Sequence, residues 1–199
     1  MERKLAIITG ADGGMGMEIT RAVAREGYAV IMACCSLSKA EPKCRELAKE
    51  TGNKNMEVWE IDLASLASVK TFANRVLQRN TSIALLMNNA GTMETGLHIT
   101  EDGLERTVSV NYVGPCLLTR LLLPLMGQGT RIVNMVSCTY AIGKLDFPDF
   151  FLRGKKGNFW RIPVYSNTKL ALLLFTFELA ERLRIRGITV SYTHLRAHE

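Results

Sequence analysis

Tyr165 and Lys169 stand four residues apart in "YSNTK", and on a helix that spacing sets them on one face, about one turn apart. A free phenol has a pKa of about 10 and is a poor base at neutral pH. A neighbouring ammonium favours the phenolate. Moving the phenol down by roughly 3 units would take about 4 kcal/mol of differential stabilisation, which a desolvated charge pair can supply. Such a pair suits a reaction in which a proton reaches a carbonyl oxygen while hydride reaches its carbon. Alone, the same spacing is also what an ordinary amphipathic helix shows, so the assignment depends on its company.

A second cluster lies near the N-terminus. The stretch "ITGADGGMGME" holds Gly10, Gly13, Gly14 and Gly16 between the apolar run "LAIIT" and a helical segment. Glycine costs conformational entropy on folding, so four in seven residues mark a place where side chains would obstruct something. A tight turn accounts for one or two of them. A helix N-terminus there offers free N–H groups to an anion, and glycines without Cβ let a pyrophosphate approach the backbone.

The elements around these clusters alternate. "KLAIIT", "YAVIMAC", "MEVWEID", "IALLMN", "RIVNMVS" and "ITVSY" read as strands. Helices are predicted over 14–26, 38–51 with Ser38 as cap, 65–79, 101–126 and 163–186. Repeated strand–helix alternation implies right-handed crossovers and a parallel sheet covered on both faces. Continuously apolar strands such as "IALLM" fit a sheet buried on both sides. The expected fold is therefore α/β, a doubly wound, Rossmann-like parallel sheet of order 3-2-1-4-5-6. The switch point falls between strands one and four, and the glycine turn lies at its crest.

Composition narrows the class. The chain has 199 residues, 47% apolar and 22% charged, the balance of an ordinary single domain. Its net charge is +6, and the excess is local: residues 1–152 hold 16 basic and 16 acidic side chains, residues 153–199 hold 9 and 3. That reads as a solvated basic helix end. No basic stripe with interleaved aromatics points to nucleic acid. The apolar runs near "CLLTRLLLPLM" and "LALLLFTF" are short or interrupted, so no membrane span is expected. Five cysteines without framework spacing imply free thiols in a reducing, cytoplasmic compartment. Cys34 and Cys35 are adjacent, and the only histidines are His98, His194 and His198, which argues against a metal site.

Thr9, Gly10, Gly14 and Gly16 match TGxxxGxG, and four further motifs follow in order: "DLAS" at 62–65, "NNAG" at 88–91, Asn111 in "VSVNYVG", and Ser137 after "RIVNMV" ahead of Tyr165 and Lys169. Together they resemble the short-chain dehydrogenase/reductase family over residues 4–190. The wording around the motifs is most similar to its retinol-dehydrogenase-like branch. The resemblance implies a hydride transfer between a nicotinamide cofactor and an alcohol or carbonyl substrate. It implies Tyr165 as acid/base, Lys169 as the group that lowers its pKa and holds the nicotinamide ribose, Ser137 on the substrate oxygen, and Asn111 on a water of the proton relay. A helix-interior hydrogen bond is the competing role for Asn111. The implied cofactor-binding set is Gly10, Asp12, Gly14, Met15, Gly16, Cys35, Asp62, Leu63, Asn89, Ala90 and Gly91, with Tyr165 and Lys169. Asp62 could equally cap the following helix.

The chain departs from the family pattern in two places. The end of strand two reads Cys34-Cys35-Ser36, with no acid to favour NAD. Cys35 stands where the branch has an arginine for the 2′-phosphate, and Gly13 stands where some NADP-dependent members are basic. Ser36, Ser38 and Lys39 could still hold a phosphate, so NADP is the expected cofactor, with NAD the other candidate. After Ser191 the chain reads "YTHLRAHE" without the family's Pro-Gly or seventh strand. Residues 1–191 are thus expected to form one dinucleotide-binding and catalytic domain lacking the last strand, and 192–199 an atypical, truncated or altered tail. The alternative function is nucleotide binding without turnover, for want of the substrate segment. A homo-oligomer is left open. The aromatic stretch between Ser137 and Tyr165, with Phe147, Phe150, Phe151, Phe159 and Trp160, suggests an apolar substrate, as a lid or as a packed excursion.

Overall fold

The computed structural model describes residues 4–149 and 159–193. Six parallel strands form one sheet in the order β3-β2-β1-β4-β5-β6. They are β1 (Leu5–Thr9), β2 (Ala29–Cys34), β3 (Met56–Glu60), β4 (Ile83–Asn88), β5 (Arg131–Met135) and β6 (Thr189–Thr193). Pairing starts Leu5 opposite Ala29 and opposite Ile83, so β1 lies between β2 and β4 and the strand order reverses there. The expected order and switch point are observed.

Every residue of β1 is buried because the sheet is covered on both faces. Leu5 and Ile7 join one core with Phe72 and Val76 of α3 (Leu66–Arg79), Leu118 and Leu122 of α5 (Gly114–Leu122), and Leu179 of α6 (Arg161–Leu183). Ile8 faces the other core, with Ala24 of α1 (Gly14–Arg25) and Ala40, Cys44 and Leu47 of α2 (Leu37–Thr51). The buried positions of α1 are Gly16, Thr20 and Ala24, all small, which lets this helix approach the sheet closely. Ser65 caps α3 by accepting from the Ser68 N–H at 3.2 Å, and Asn80 closes it in the left-handed region. Ser36, not Ser38, is the cap position of α2.

The helix expected over 101–126 starts later. Residues 101–105 form a turn, with Gly103 at φ 72° and an antiparallel bridge between Ile99 and Glu105. The helix begins at α4 (Arg106–Val108), passes through a π-helical turn at Ser109–Val113, and continues as α5. The run 106–125 is long and apolar enough to cross a membrane by length and composition. Here it packs on the sheet, with Leu118 and Leu122 fully buried. At the far edge, β6 pairs among the described residues with β5 alone, and Tyr192 and Thr193 belong to it; residues 194–199 lie outside the described residues.

Candidate active site

The glycine turn joins β1 to α1 at the C-terminal edge of the sheet. Gly10 takes φ 61° and donates to the Ala33 carbonyl at 2.8 Å. A Cβ there would fall 2.9 Å from the Ala90 Cα, and one on Gly16 would fall 2.0 Å from the Gly10 oxygen. These two glycines let backbones cross. Gly14 differs: a Cβ there meets nothing within 4 Å, so its face is open. No side chain caps α1, which leaves its first-turn N–H groups to whatever lies in front of it.

Thr9 and Asn89 tie this turn to the end of β4. The Asn89 and Ala90 N–H groups donate to the Thr9 hydroxyl at 3.0 and 3.1 Å. The Asn89 side-chain amide donates to the Thr9 and Gly10 carbonyls at 3.1 and 3.2 Å. Between the two segments opens a cleft of about 430 Å³. Gly10, Asp12, Gly14, Met15, Gly16, Cys35, Asp62, Leu63, Asn89, Ala90 and Gly91 all line it, so the expected cofactor residues outside α6 are brought together.

The remaining candidates gather at the Gly91 end. A Cβ on Gly91 would lie 3.4 Å from Asn111 Oδ1 and 3.5 Å from Lys169 Nζ, so both side chains converge on that glycine. Asn111 sits in the π-helical turn and is fully buried. Its Oδ1 accepts from the Thr92 N–H at 2.8 Å, and its Nδ2 donates to the Thr92 carbonyl at 2.8 Å and to Thr168 Oγ1 at 3.2 Å. Lys169 is buried, donates to the Met135 carbonyl at 2.8 Å, and lies 5.4 Å from the Tyr165 ring centroid. Ser137, just past β5, stands beside Tyr165, and its Oγ accepts from the Thr139 N–H at 3.3 Å. A serine, a phenol and a buried lysine thus adjoin the cleft that the glycine turn borders.

The family model described as short chain dehydrogenase matches residues 4–148. The chain belongs to the short-chain dehydrogenase/reductase family. This is a family of NAD(P)-dependent oxidoreductases. The chain is 37% identical to human retinol dehydrogenase 13 over 193 residues, 96% of this chain and 58% of that protein's length. It therefore spans well under two thirds of that relative. Its fold is similar to that of an uncharacterised protein from Mycobacterium paratuberculosis, at 34% identity and a TM-score of 0.85, covering 96% of this chain and 67% of the other. It is also similar to a blue fluorescent protein from a metagenomic library solved in complex with NADPH, at 27% identity and a TM-score of 0.76, covering 96% and 73%. The open face of Gly14, the uncapped α1 and the continuous cleft suit the family's dinucleotide.

In this family member burial and local hydrogen bonds set the polar side chains as follows. Burial pushes Tyr165 above its ordinary value, with the Ser137 hydrogen bond opposing, and burial lowers Lys169 to about 8. The Lys169 ammonium is held by the Met135 carbonyl. Asp62 does not cap α3. Its Oδ1 accepts from the Ala64 N–H at 2.8 Å, closing the turn before the Ser65 cap.

Sequence reasoning also missed residues. Arg106 lines the cleft, 46% exposed in its side chain, and pairs at 3.2 Å with Glu94, whose Oε1 also accepts from the Thr92 hydroxyl at 3.0 Å. Lys43 reaches from α2 to the Asp12 carbonyl at 2.6 Å. Neither belongs to a motif. Only the folding of α2 and α4 against the glycine turn and the "NNAG" segment brings them in. Of the aromatic stretch, Phe147 and Trp160 are 79% and 70% exposed, while Phe150 and Phe151 lie outside the described residues.

Proposed function

We propose that this chain is the cofactor-binding and catalytic part of an NADP(H)-dependent enzyme that interconverts an apolar alcohol and its aldehyde or ketone. The observation that carries the reading is the meeting of Asn111 and Lys169 at Gly91, with Tyr165 and Ser137 alongside, at one end of a cleft whose other end is the glycine turn. A bound nicotinamide supplies or accepts the hydride. Tyr165 donates the proton to the carbonyl oxygen in the reducing direction and takes it back in the other. Ser137 hydrogen-bonds the same oxygen and orients it. Lys169 holds the ribose hydroxyls beside the ring, and its charge there favours loss of the Tyr165 proton. Asn111 pins Thr92 and so shapes the wall of the site. Exposed Ile142, Phe147 and Trp160 between β5 and α6 offer apolar surface to the substrate.

The test pairs binding with turnover. NADPH is titrated by its fluorescence, and a panel of apolar aldehydes, ketones and alcohols is then assayed with wild type and Tyr165→Phe. The reading predicts NADPH binding in both proteins and turnover in the wild type alone. Binding without turnover of any panel member would leave a nucleotide-binding protein. Turnover that survives Tyr165→Phe would remove the assigned acid/base.

A further inference from the structure

Lys43 has no part in the function proposed above, yet its ammonium lies at the edge of the cofactor cleft. Asp12 and Cys35 line that cleft. Lys43 Nζ donates to the Asp12 carbonyl at 2.6 Å, which places a cation against the outer side of the glycine turn. A carbonyl is a neutral partner and uses one of three ammonium donors. Among the described residues no carboxylate pairs with Lys43. The Asp12 carboxylate lies beside the Cys34 thiol.

The surroundings have one chemistry. Lys39 precedes Lys43 by one turn of α2 and is exposed. The Ser36 and Ser38 hydroxyls lie 3.2 Å apart where α2 begins. Residues 34–36, which end β2 and enter α2, bring no acid and no base of their own. In a doubly wound fold the end of β2 faces the adenosine ribose, where an acid takes the free 2′-hydroxyl or a base takes a 2′-phosphate. Here the start of α2 brings two hydroxyls and two ammoniums, and one of these ammoniums, from its second turn, reaches the glycine turn itself.

We propose that Lys43 is the specificity-determining residue that admits the 2′-phosphate of NADP(H), in place of the basic side chain that neither Gly13 nor Cys35 supplies. The inference rests on the reading that the cleft binds the dinucleotide. Lys43 bridges the Asp12 carbonyl and the phosphate, Lys39 adds a second, more exposed charge, and the Ser36 and Ser38 hydroxyls donate to the remaining oxygens. Because Lys43 is held by the turn, its charge is already in place before the ligand arrives, which reduces the ordering cost of binding.

The experiment measures NADPH and NADH affinity by fluorescence titration for wild type, Lys43→Met and Lys43→Arg. Displacement of NADPH by 2′,5′-ADP and by 5′-AMP forms the second arm. Thermal melts show that each variant is folded. The expected result is that Lys43→Met weakens NADPH and 2′,5′-ADP about tenfold, the scale of one lost charged contact, and leaves NADH and 5′-AMP within about twofold. Lys43→Arg keeps most of the preference, and added salt narrows the wild-type difference between NADPH and NADH. An equal loss for both cofactors would overturn the proposal, because it would mean that Lys43 only braces the glycine turn. No change for either cofactor would overturn it too. So would a wild type that prefers NADH, since Asp12 would then hold the ribose hydroxyls. If the wild type bound neither cofactor, the cleft reading itself would fall and this inference with it.

Discussion

Lys169 lies beneath Tyr165, its ammonium 5.4 Å from the ring centroid and hydrogen-bonded at 2.8 Å to the carbonyl of Met135. The lysine is buried, and burial holds it at about 8. The sign of the consequence follows from linkage. In the unfolded chain the ammonium loses its proton near 10.4, so between about 8 and 10 the unfolded state binds more protons than the native one. Stability then rises with pH across that window. Denaturant unfolding of wild type and Lys169→Met at intervals from pH 7 to 10 should show the wild type gaining on the variant as pH rises, by on the order of 3 kcal/mol at most. A difference that is flat with pH would contradict the buried, neutralisable lysine. Lys169→Met should also lose turnover, since the group proposed to hold the ribose is gone.

Ser137 stands beside Tyr165, and its hydrogen bond draws the phenol down against the effect of burial. Ser137→Ala should push the phenol further up, because the hydrogen bond that opposes burial is removed. Substrate reduction should fall by about a hundredfold, in the range of one lost general-acid or oxyanion contact, with NADPH affinity nearly unchanged. Steady-state kinetics across pH 6–10, with the cofactor titrated separately, checks both parts.

Gly14 and Gly16 are two residues apart and should differ in what the same change costs. Gly14→Ala adds a methyl into open space, so the melting temperature should stay within a few degrees while NADPH affinity drops, because the methyl takes room that the ligand's phosphates need. Gly16→Ala drives a Cβ to 2.0 Å from the Gly10 oxygen, so the turn must open and stability should fall by about 1–3 kcal/mol as well. Melting curves with and without NADPH separate the two.

Asn111 makes three hydrogen bonds, a buried one to Thr168 and two part-buried ones to the Thr92 backbone. Asn111→Ala removes all three, and water can reach the Thr92 N–H and C=O only in part. A loss of about 1–3 kcal/mol in urea unfolding is expected. Asn111→Asp should lose less, since its carboxylate still accepts from the Thr92 N–H. Equal stability of wild type and Asn111→Ala would leave Asn111 a purely chemical role.

By itself the sequence determined the architecture and the order of the site. Apolar strands alternating with amphipathic helices demand a sheet covered on both faces, and β1, buried along its whole length between two cores, is that demand met. Glycine spacing between β1 and α1 and the i,i+4 pair Tyr165–Lys169 are local signals, readable because turns and helices impose short, regular distances. The helix starts at Arg106 and not at 101 because Gly103 takes the left-handed region and a bridge between Ile99 and Glu105 holds those residues out of it. The tertiary structure alone decided which way each polar side chain faces. Asp62 became a turn closer because Ser65 holds the cap, and Lys169 turned to Met135 because burial penalises an unpartnered ammonium. Lys43 and Arg106 came to the cleft through packing across 31 residues in one case and a salt bridge to Glu94 in the other. No period in the chain encodes such meetings, because they depend on how helices settle on the sheet and not on the spacing within any one of them.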